Sequence, residues 1–476
     1  HIDVQRREIL DQIASKKDPR DPRKIKESFM KKLIILFLIL SFTLSLFTAC
    51  NEEQQGSAEE GEKSKKDAVV VLELARFFGE PDDTLMESTD LSKANSEAAT
   101  IQILTNIFNE ENKGEIRVEK LGGSKWGSFY DQLNTTFAAN DPPDVAVMHQ
   151  SNMPAYASRE LLVALDDYFT EYNLNPSDWT APAKKAISYE GSSYGVPFDL
   201  HGNLLHVNVD LFKQAGLVDE DGVPILPTNT EEWFEHAQIM KEKTGKLYWV
   251  EDATQFPISF RLFHSLMEQQ GVPVVNTNTN KVNIDSAAGK KALNFMLKRF
   301  EEGYSDPNAD YTAAGELFMN GEAAIEMNGT WVVDQYSQEL TFDYRAMNFP
   351  NLMGQKKVWA NSHMWVIPKQ KESNRQYEAA MKFCKFLGDH VYEWAAGSGH
   401  IAPRKSALNK LSENNIPQRA NYAETASNAS TFPPVINYSN IETIIKEEVE
   451  KTWLLDESVD SVLQQAQKRV EAVLKE

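Results

Sequence analysis

The chain has 476 residues, is 41% hydrophobic and 10% aromatic, and carries a net charge of −21. That length exceeds one ordinary domain and calls for two or three lobes, each with its own core. The first 49 residues hold ten Lys/Arg and six Asp/Glu, which leaves −25 on the remainder; so acidic a body repels phosphate backbones and argues against a nucleic-acid partner.

Residues 1–29 are polar and precede Met30; no function is assigned to this upstream extension. Met30-Lys31-Lys32 forms a short positive region and Leu33 to Phe47 an apolar one, followed by small residues and Cys50. The run is short for a membrane span and predicts an export signal over 30–49. Leu46-Phe47-Thr48-Ala49-Cys50 resembles the lipobox of bacterial lipoproteins, with Phe47 where that pattern usually has Leu. The resemblance implies lipidation at Cys50 and anchoring to the outer face of the cell membrane. Residues 51–66 contain no aromatic or β-branched side chain and predict a flexible linker behind the lipidated cysteine. The other cysteine, Cys384, sits in an apolar stretch, so no internal disulfide is expected.

The body begins at about Asp67. Val69 to Phe78 predicts a strand, and Ile101, Leu104, Ile107 and Phe108 recur at helical spacing. Next come a strand over "EIRVEKL", a helix with Tyr130, Leu133 and Phe137 on one face, and a buried strand in "PPDVAVM". Strands and helices therefore alternate, which predicts an α/β fold. Further along, Asn229 or Thr230 caps a helix carrying Trp233, Ala237 and Met240 that stops at Gly245. Another helix turns Ala292, Phe295, Met296 and Phe300 inward. "AAGELFMNGEAAIEMNGTW" predicts a helix, an Asn320-Gly321 turn, an alternating strand and a loop ending in Trp331. The C-terminal helix is amphipathic through Val459, Val462, Leu463, Ala466, Val470 and Val473.

Gly191-Ser192-Ser193-Tyr194-Gly195 satisfies the G-x-S-x-G pattern of a hydrolase nucleophile elbow, which needs a strand before the serine and a helix after it. The residues after Ser193 alternate as extended chain through Val196, Phe198 and Leu200, and Pro197 forbids an early helix. Ser193 is therefore expected in a polar turn. No H-E-x-x-H occurs and the nine histidines show no metal-ligand spacing; no metal and no cofactor are expected. Asp219-Glu220-Asp221-Gly222 predicts a turn, because Thr230 stands where a calcium loop would place its terminal Glu. A nucleotide-binding G-x-x-x-x-G-K-[ST] is also missing, so any ATPase work belongs to another subunit. A carboxylate pair for glycoside hydrolysis depends on separation in space, which sequence does not give.

Seven stretches, "NDPPDVAVM", "YASRELLVALDDYF", "SYGVPFDLHGNLLHVNVDLFKQAGL", "TNTEEWFEHAQ", "NKVNIDSAAGKKAL", "LFMNGEAAIEMNGTW" and "GHIAPRKSAL", occur in that order. In them the chain from about Val69 onward resembles the family 1 extracellular solute-binding proteins, the maltose-binding-like receptors of ATP-binding-cassette importers. The resemblance implies a two-lobed, periplasmic-binding-protein-like α/β fold with a ligand cleft between lobes joined by hinge crossings. The lobes are expected over 67–197 plus about 358–398, and about 201–349 plus 403–476. The resemblance further implies a monomer that binds a mono- or oligosaccharide and hands it to the permease subunits, with no enzymatic activity. The alternatives from other classes are an exported hydrolase using Ser193 or a carboxylate pair, a surface lipoprotein that senses or adheres, and a binder of glycerol phosphate or another non-sugar solute.

In that family aromatic rings stack on sugar faces while carboxylates, amides and imidazoles bond the hydroxyls. The matching positions are Trp126, His149, Gln150, Asp199, His201, Asn328, Trp331, His363 and Arg404. Trp233 and Trp365, on regular elements, are expected in the core.

Overall fold

The computed structural model describes residues 69–122, 125–279, 281–370 and 374–475. The export signal, Cys50 and the linker lie outside them. The described residues build two sheets, each on its own apolar core. In the first sheet the order is Ile116–Lys120, Val70–Ala75, Val145–His149, His363–Val366 and Val196–Pro197. The first three strands run parallel, and His363–Val366 pairs antiparallel on both sides. The helices Glu97–Glu111 and Trp126–Ala138 make the crossovers, so strand and helix alternate as the sequence predicts.

The second sheet is centred on His201–Asn208, whose eight residues are all buried. Ala323–Gly329 flanks it on one side, with Tyr344–Asn348 and Val358–Asn361 on the other. Leu247–Val250 and Ala429–Thr431 complete the sheet. The helix Thr230–Thr244 starts where Asn229 accepts a bond from the Glu232 amide and ends at Gly245. That glycine has φ 72°, a left-handed conformation open to a residue without Cβ. Trp233 and Trp365 are fully buried in separate cores, and Cys384 is a buried free thiol.

The structure differs from the sequence reading at several places. Trp126 opens the helix Trp126–Ala138, and the segment ending in Trp331, expected as a loop, is the 3-10 turn Thr330–Val332. Ala323–Gly329 is buried at every residue, since its neighbours pair on both edges and helices cover both faces, so polar Glu326 is enclosed too. Finally, Val358–Asn361 belongs to the second sheet, and the helix Lys405–Glu413 packs Ala407 and Leu411 into the first core. The sequence assigns each of those two segments to the opposite lobe, because their apolar patterns do not reveal which core receives them.

Ser192–Ser193 pairs antiparallel with Ser188–Tyr189, and the Ser193 amide donates to Asp166 Oδ2 at 2.9 Å. Strand lies on both sides of it, and no helix begins between Ser193 and Val209. The backbone of a nucleophile elbow is not formed here.

Candidate functional site

The chain leaves the first sheet at Pro197 and enters the second at His201; it returns from Asn361 to His363 through the single residue Ser362. A third stretch touches these crossings where Leu200 bridges Ile401. His149 ends its strand, and its register partner is His363, the first residue of the returning strand. The carboxyl ends of the parallel strands open here, where open α/β sheets bind ligands.

Asp199 holds the junction together. It is fully buried, and its Oδ1 accepts from the His363 amide at 3.1 Å and lies 3.1 Å from His201 Nδ1. Its Oδ2 lies 2.8 Å from His363 Nδ1 and accepts from Trp394 Nε1 at 2.8 Å. Burial opposes ionisation, but His363, His400 and the imidazole hydrogen bonds outweigh it and hold Asp199 well below the usual carboxylate range. His149 and His201 are pushed well below the ordinary imidazole value, by burial first and then by His363. They are therefore neutral at physiological pH, each with a lone pair on one ring nitrogen.

His149 Nδ1 is 2.7 Å from the Tyr130 hydroxyl, and its ring lies parallel to Phe77 at 4.9 Å. His149 Nε2 and His363 Nε2 lie 3.2 Å apart. His400 stands to one side, 2.8 Å from both Thr330 Oγ1 and Glu97 Oε1. Burial works against its protonation, but Asp199 and Glu97 prevail and raise its pKa.

His149, His201 and His363 floor a cavity of about 250 Å³ between the two sheets. One wall comes from the first lobe: Phe77, Glu97 and Trp126. The other comes from the second: Phe256, Ile258, Arg261, Tyr311 and Trp331, with Trp359 beneath. Trp126 meets Phe256 edge to face at 5.4 Å, Phe256 meets Tyr311 likewise, and the Trp331 indole donates to the Tyr311 hydroxyl at 2.9 Å. The lobes also touch through Asn95 with Gln338 and Asn152 with Ser439, each amide donating at 3.0 Å.

Arg261 is buried, with its guanidinium carbon 4.0 Å from the Trp359 ring and 5.5 Å from that of Trp331. Its Nε has no hydrogen-bond partner among the described residues. Burial lowers its proton affinity, with Glu442 acting in the opposite sense.

Of the positions picked from the sequence, Trp126, His149, His201, Trp331 and His363 line the cavity, and Asp199 lies directly beneath. Three others point elsewhere. Asn328 donates to Glu326 Oε1 at 2.9 Å and accepts from the Gly329 amide, inside the second lobe. Arg404 pairs with Asp389 at 3.1 Å on the first lobe. Gln150 is buried, its amide bonded to Ser362 O, and does not line the cavity. Sequence reasoning missed Phe77, Arg261, Tyr311, Trp359, Trp394 and His400. Only His400 had a signal, within "GHIAP". Arg261 sits on a buried helix, Ile258–Gln269, whose periodicity marks a core element and nothing more.

The sequence pattern of the family described as bacterial extracellular solute-binding protein matches residues 92–393, well over half of the chain. The chain belongs to that family. Members of that family are extracellular solute-binding proteins, a non-catalytic group. Among curated relatives, the diacetylchitobiose binding protein DasA of Streptomyces coelicolor is 21% identical over 352 residues, 71% of this chain and 77% of that protein. The ABC substrate-binding protein Lmo0181 from Listeria monocytogenes, solved with cycloalternan, superposes with a TM-score of 0.70 at 18% identity, over 86% of this chain and 100% of that one. UgpB from Mycobacterium tuberculosis, solved with glycerophosphocholine, gives 0.70 at 18%, over 86% and 98%. These likenesses establish the two-lobed fold of this solute-binding protein. Among the described residues no helix is long and apolar enough to cross a membrane.

Proposed function

We propose that the chain is the solute-capturing lipoprotein of an ATP-binding-cassette importer and that its cargo is a mono- or oligosaccharide. The observation that carries this reading is the cavity itself: aromatic rings from both lobes face it, above a floor of neutral imidazoles suited to hydroxyl groups. DasA, a diacetylchitobiose binding protein, and Lmo0181, solved with cycloalternan, support the class. The lobes, taken as 69–197 with 363–413 and 201–361 with 429–475, close on the sugar about the crossings at 198–200 and 362 and present it to the permease. Cys50, lipidated, tethers the body to the outer face of the membrane through residues 51–66.

One observation favours a second cargo. Arg261 brings a buried positive charge with an unpartnered Nε to the cavity wall, which suits an anion such as a polyol phosphate. Likeness to UgpB, solved with glycerophosphocholine, agrees with that choice.

Calorimetric titration of the protein against a panel of sugars, polyol phosphates and peptides tests both readings. One-to-one saturable binding of a sugar is the expected result. Binding of phosphate esters alone selects the second reading, and binding of neither class overturns both. Loss of uptake of the same solute on gene deletion checks the transport role.

A further inference from the structure

The three histidines on the cavity floor are arranged in a way that sugar recognition does not require. His149, His201 and His363 each present one ring nitrogen within 4.8 Å of the others, and all three are buried. In each, Nδ1 is occupied: by Tyr130 for His149, and by the two oxygens of Asp199 for His201 and His363. One carboxylate thus orients two imidazoles. Outer-sphere carboxylates and hydroxyls fix the ring and tautomer of metal-ligating histidines in this manner.

Distances are consistent with that role. Two nitrogens bound to one tetrahedral zinc at 2.0–2.1 Å stand about 3.3 Å apart, and His149 Nε2 and His363 Nε2 are 3.2 Å apart. His201 is stacked on His363 with ring centres 4.1 Å apart and planes 25° from parallel, so it must rotate modestly to bring its nitrogen to the same spacing. A neighbouring set, Asp199 with His363 and His400, also falls within ligating distance. It is the weaker choice, because both Asp199 oxygens already accept two bonds each and both His400 nitrogens are taken.

We propose that the cavity floor is a three-histidine site for a divalent transition-metal ion of the zinc type, held by His149 Nε2, His363 Nε2 and the outer nitrogen of His201, with its fourth position directed into the cavity. Three nitrogen ligands and one open position make a site that accepts an exogenous oxygen or nitrogen donor. Arg261 lines the same cavity, so an anionic donor on the ion gains a charge partner. The inference holds for either cargo class, but with the ion bound a solute oxygen meets its open position in place of the free imidazole nitrogens.

The test uses the full chain after dialysis against a chelator. Calorimetric titration with Zn²⁺ is expected to give one ion per chain in this site. His363→Ala should weaken it by roughly 100-fold or more, and Asp199→Asn by roughly 10- to 100-fold through loss of the outer-sphere carboxylate. His236→Ala, on the second lobe away from the cavity, should leave it unchanged. Wild-type binding no tighter than that of His363→Ala overturns the proposal. Should that variant fail to fold, Co²⁺ added to the wild-type protein decides: intense visible bands of a tetrahedral nitrogen-ligated ion, shifting when azide is added, are expected. Weak octahedral absorption overturns the site, and bands unmoved by azide overturn its open position.

Discussion

The Trp331 indole folds back over Gly329, so that a Cβ at position 329 would stand 2.1 Å from the ring carbon Cζ3. The glycine's φ of −100° is open to any residue, so the requirement is one of space. Gly329→Ala must drive the indole off its strand and away from Tyr311. The expected outcome is a stability loss of about 1–3 kcal/mol with weakened solute binding, read by thermal melting and by the near-ultraviolet tryptophan signal.

Trp331 is half-buried, packs on the second lobe and faces the cavity. Its ring lines the cavity, where a sugar ring can pack against it. Trp331→Ala should weaken binding of the sugar found in the panel by roughly 10- to 100-fold. Affinity is compared at a temperature where melting curves show the variant folded; an early melt with normal affinity would take the indole out of the site.

Arg261→Met separates the two cargo classes. A phosphate ester loses a buried charge partner, about 2–5 kcal/mol or roughly 30-fold and more. A neutral sugar loses at most one hydrogen bond to a charged donor, about 1.5–3 kcal/mol, so a loss beyond roughly 150-fold marks the phosphate ester. Parallel titrations of wild type and variant with one ligand of each class give the answer.

Glu326 is enclosed between strands, accepting bonds from Tyr336 and Asn328, and burial pushes its pKa up to about 7. A carboxyl raised in the folded state binds its proton more tightly there than when unfolded. Its contribution to stability is therefore most favourable below about pH 4.5 and is lost as pH rises through about 7. Glu326→Gln has no proton to lose. Relative to wild type, the variant should gain stability between pH 5 and 8 by an amount on the order of 3 kcal/mol, whatever fixed offset the new amide introduces. Denaturant unfolding of both proteins across that range measures it, and parallel curves would contradict the assignment.

Cys50→Ser should leave the protein unprocessed or released from membranes, as judged by fractionation. Full membrane retention after normal processing would exclude the lipid anchor.

Much of the fold was legible because its signals are local. The Asn229 cap and Gly245 stop, the parallel strand ending at His149, and the strand turning through Gly329 toward Trp331 each depend on residues within a few positions. Of the positions implied by the family resemblance, Trp126, His149, His201, Trp331 and His363 reach the cavity, each near the end of an element that meets the cleft. Arg261 was not legible, since a cation on one face of an apolar helix reads the same whether it faces a cavity or a core. Nor does sequence spacing distinguish the lobe that receives Val358–Asn361 or Lys405–Glu413.

The sequence by itself determined the alternation of strands and helices, the caps that bound them, and the seven ordered stretches that mark the family. Only the tertiary structure decided that Asp199 would hold His201 and His363, with His149 opposite. Those four residues come from a strand end and two chain crossings, brought together by sheet register across more than two hundred positions. Helical and strand periodicities report which face of an element is buried. They carry no information about which other element it meets.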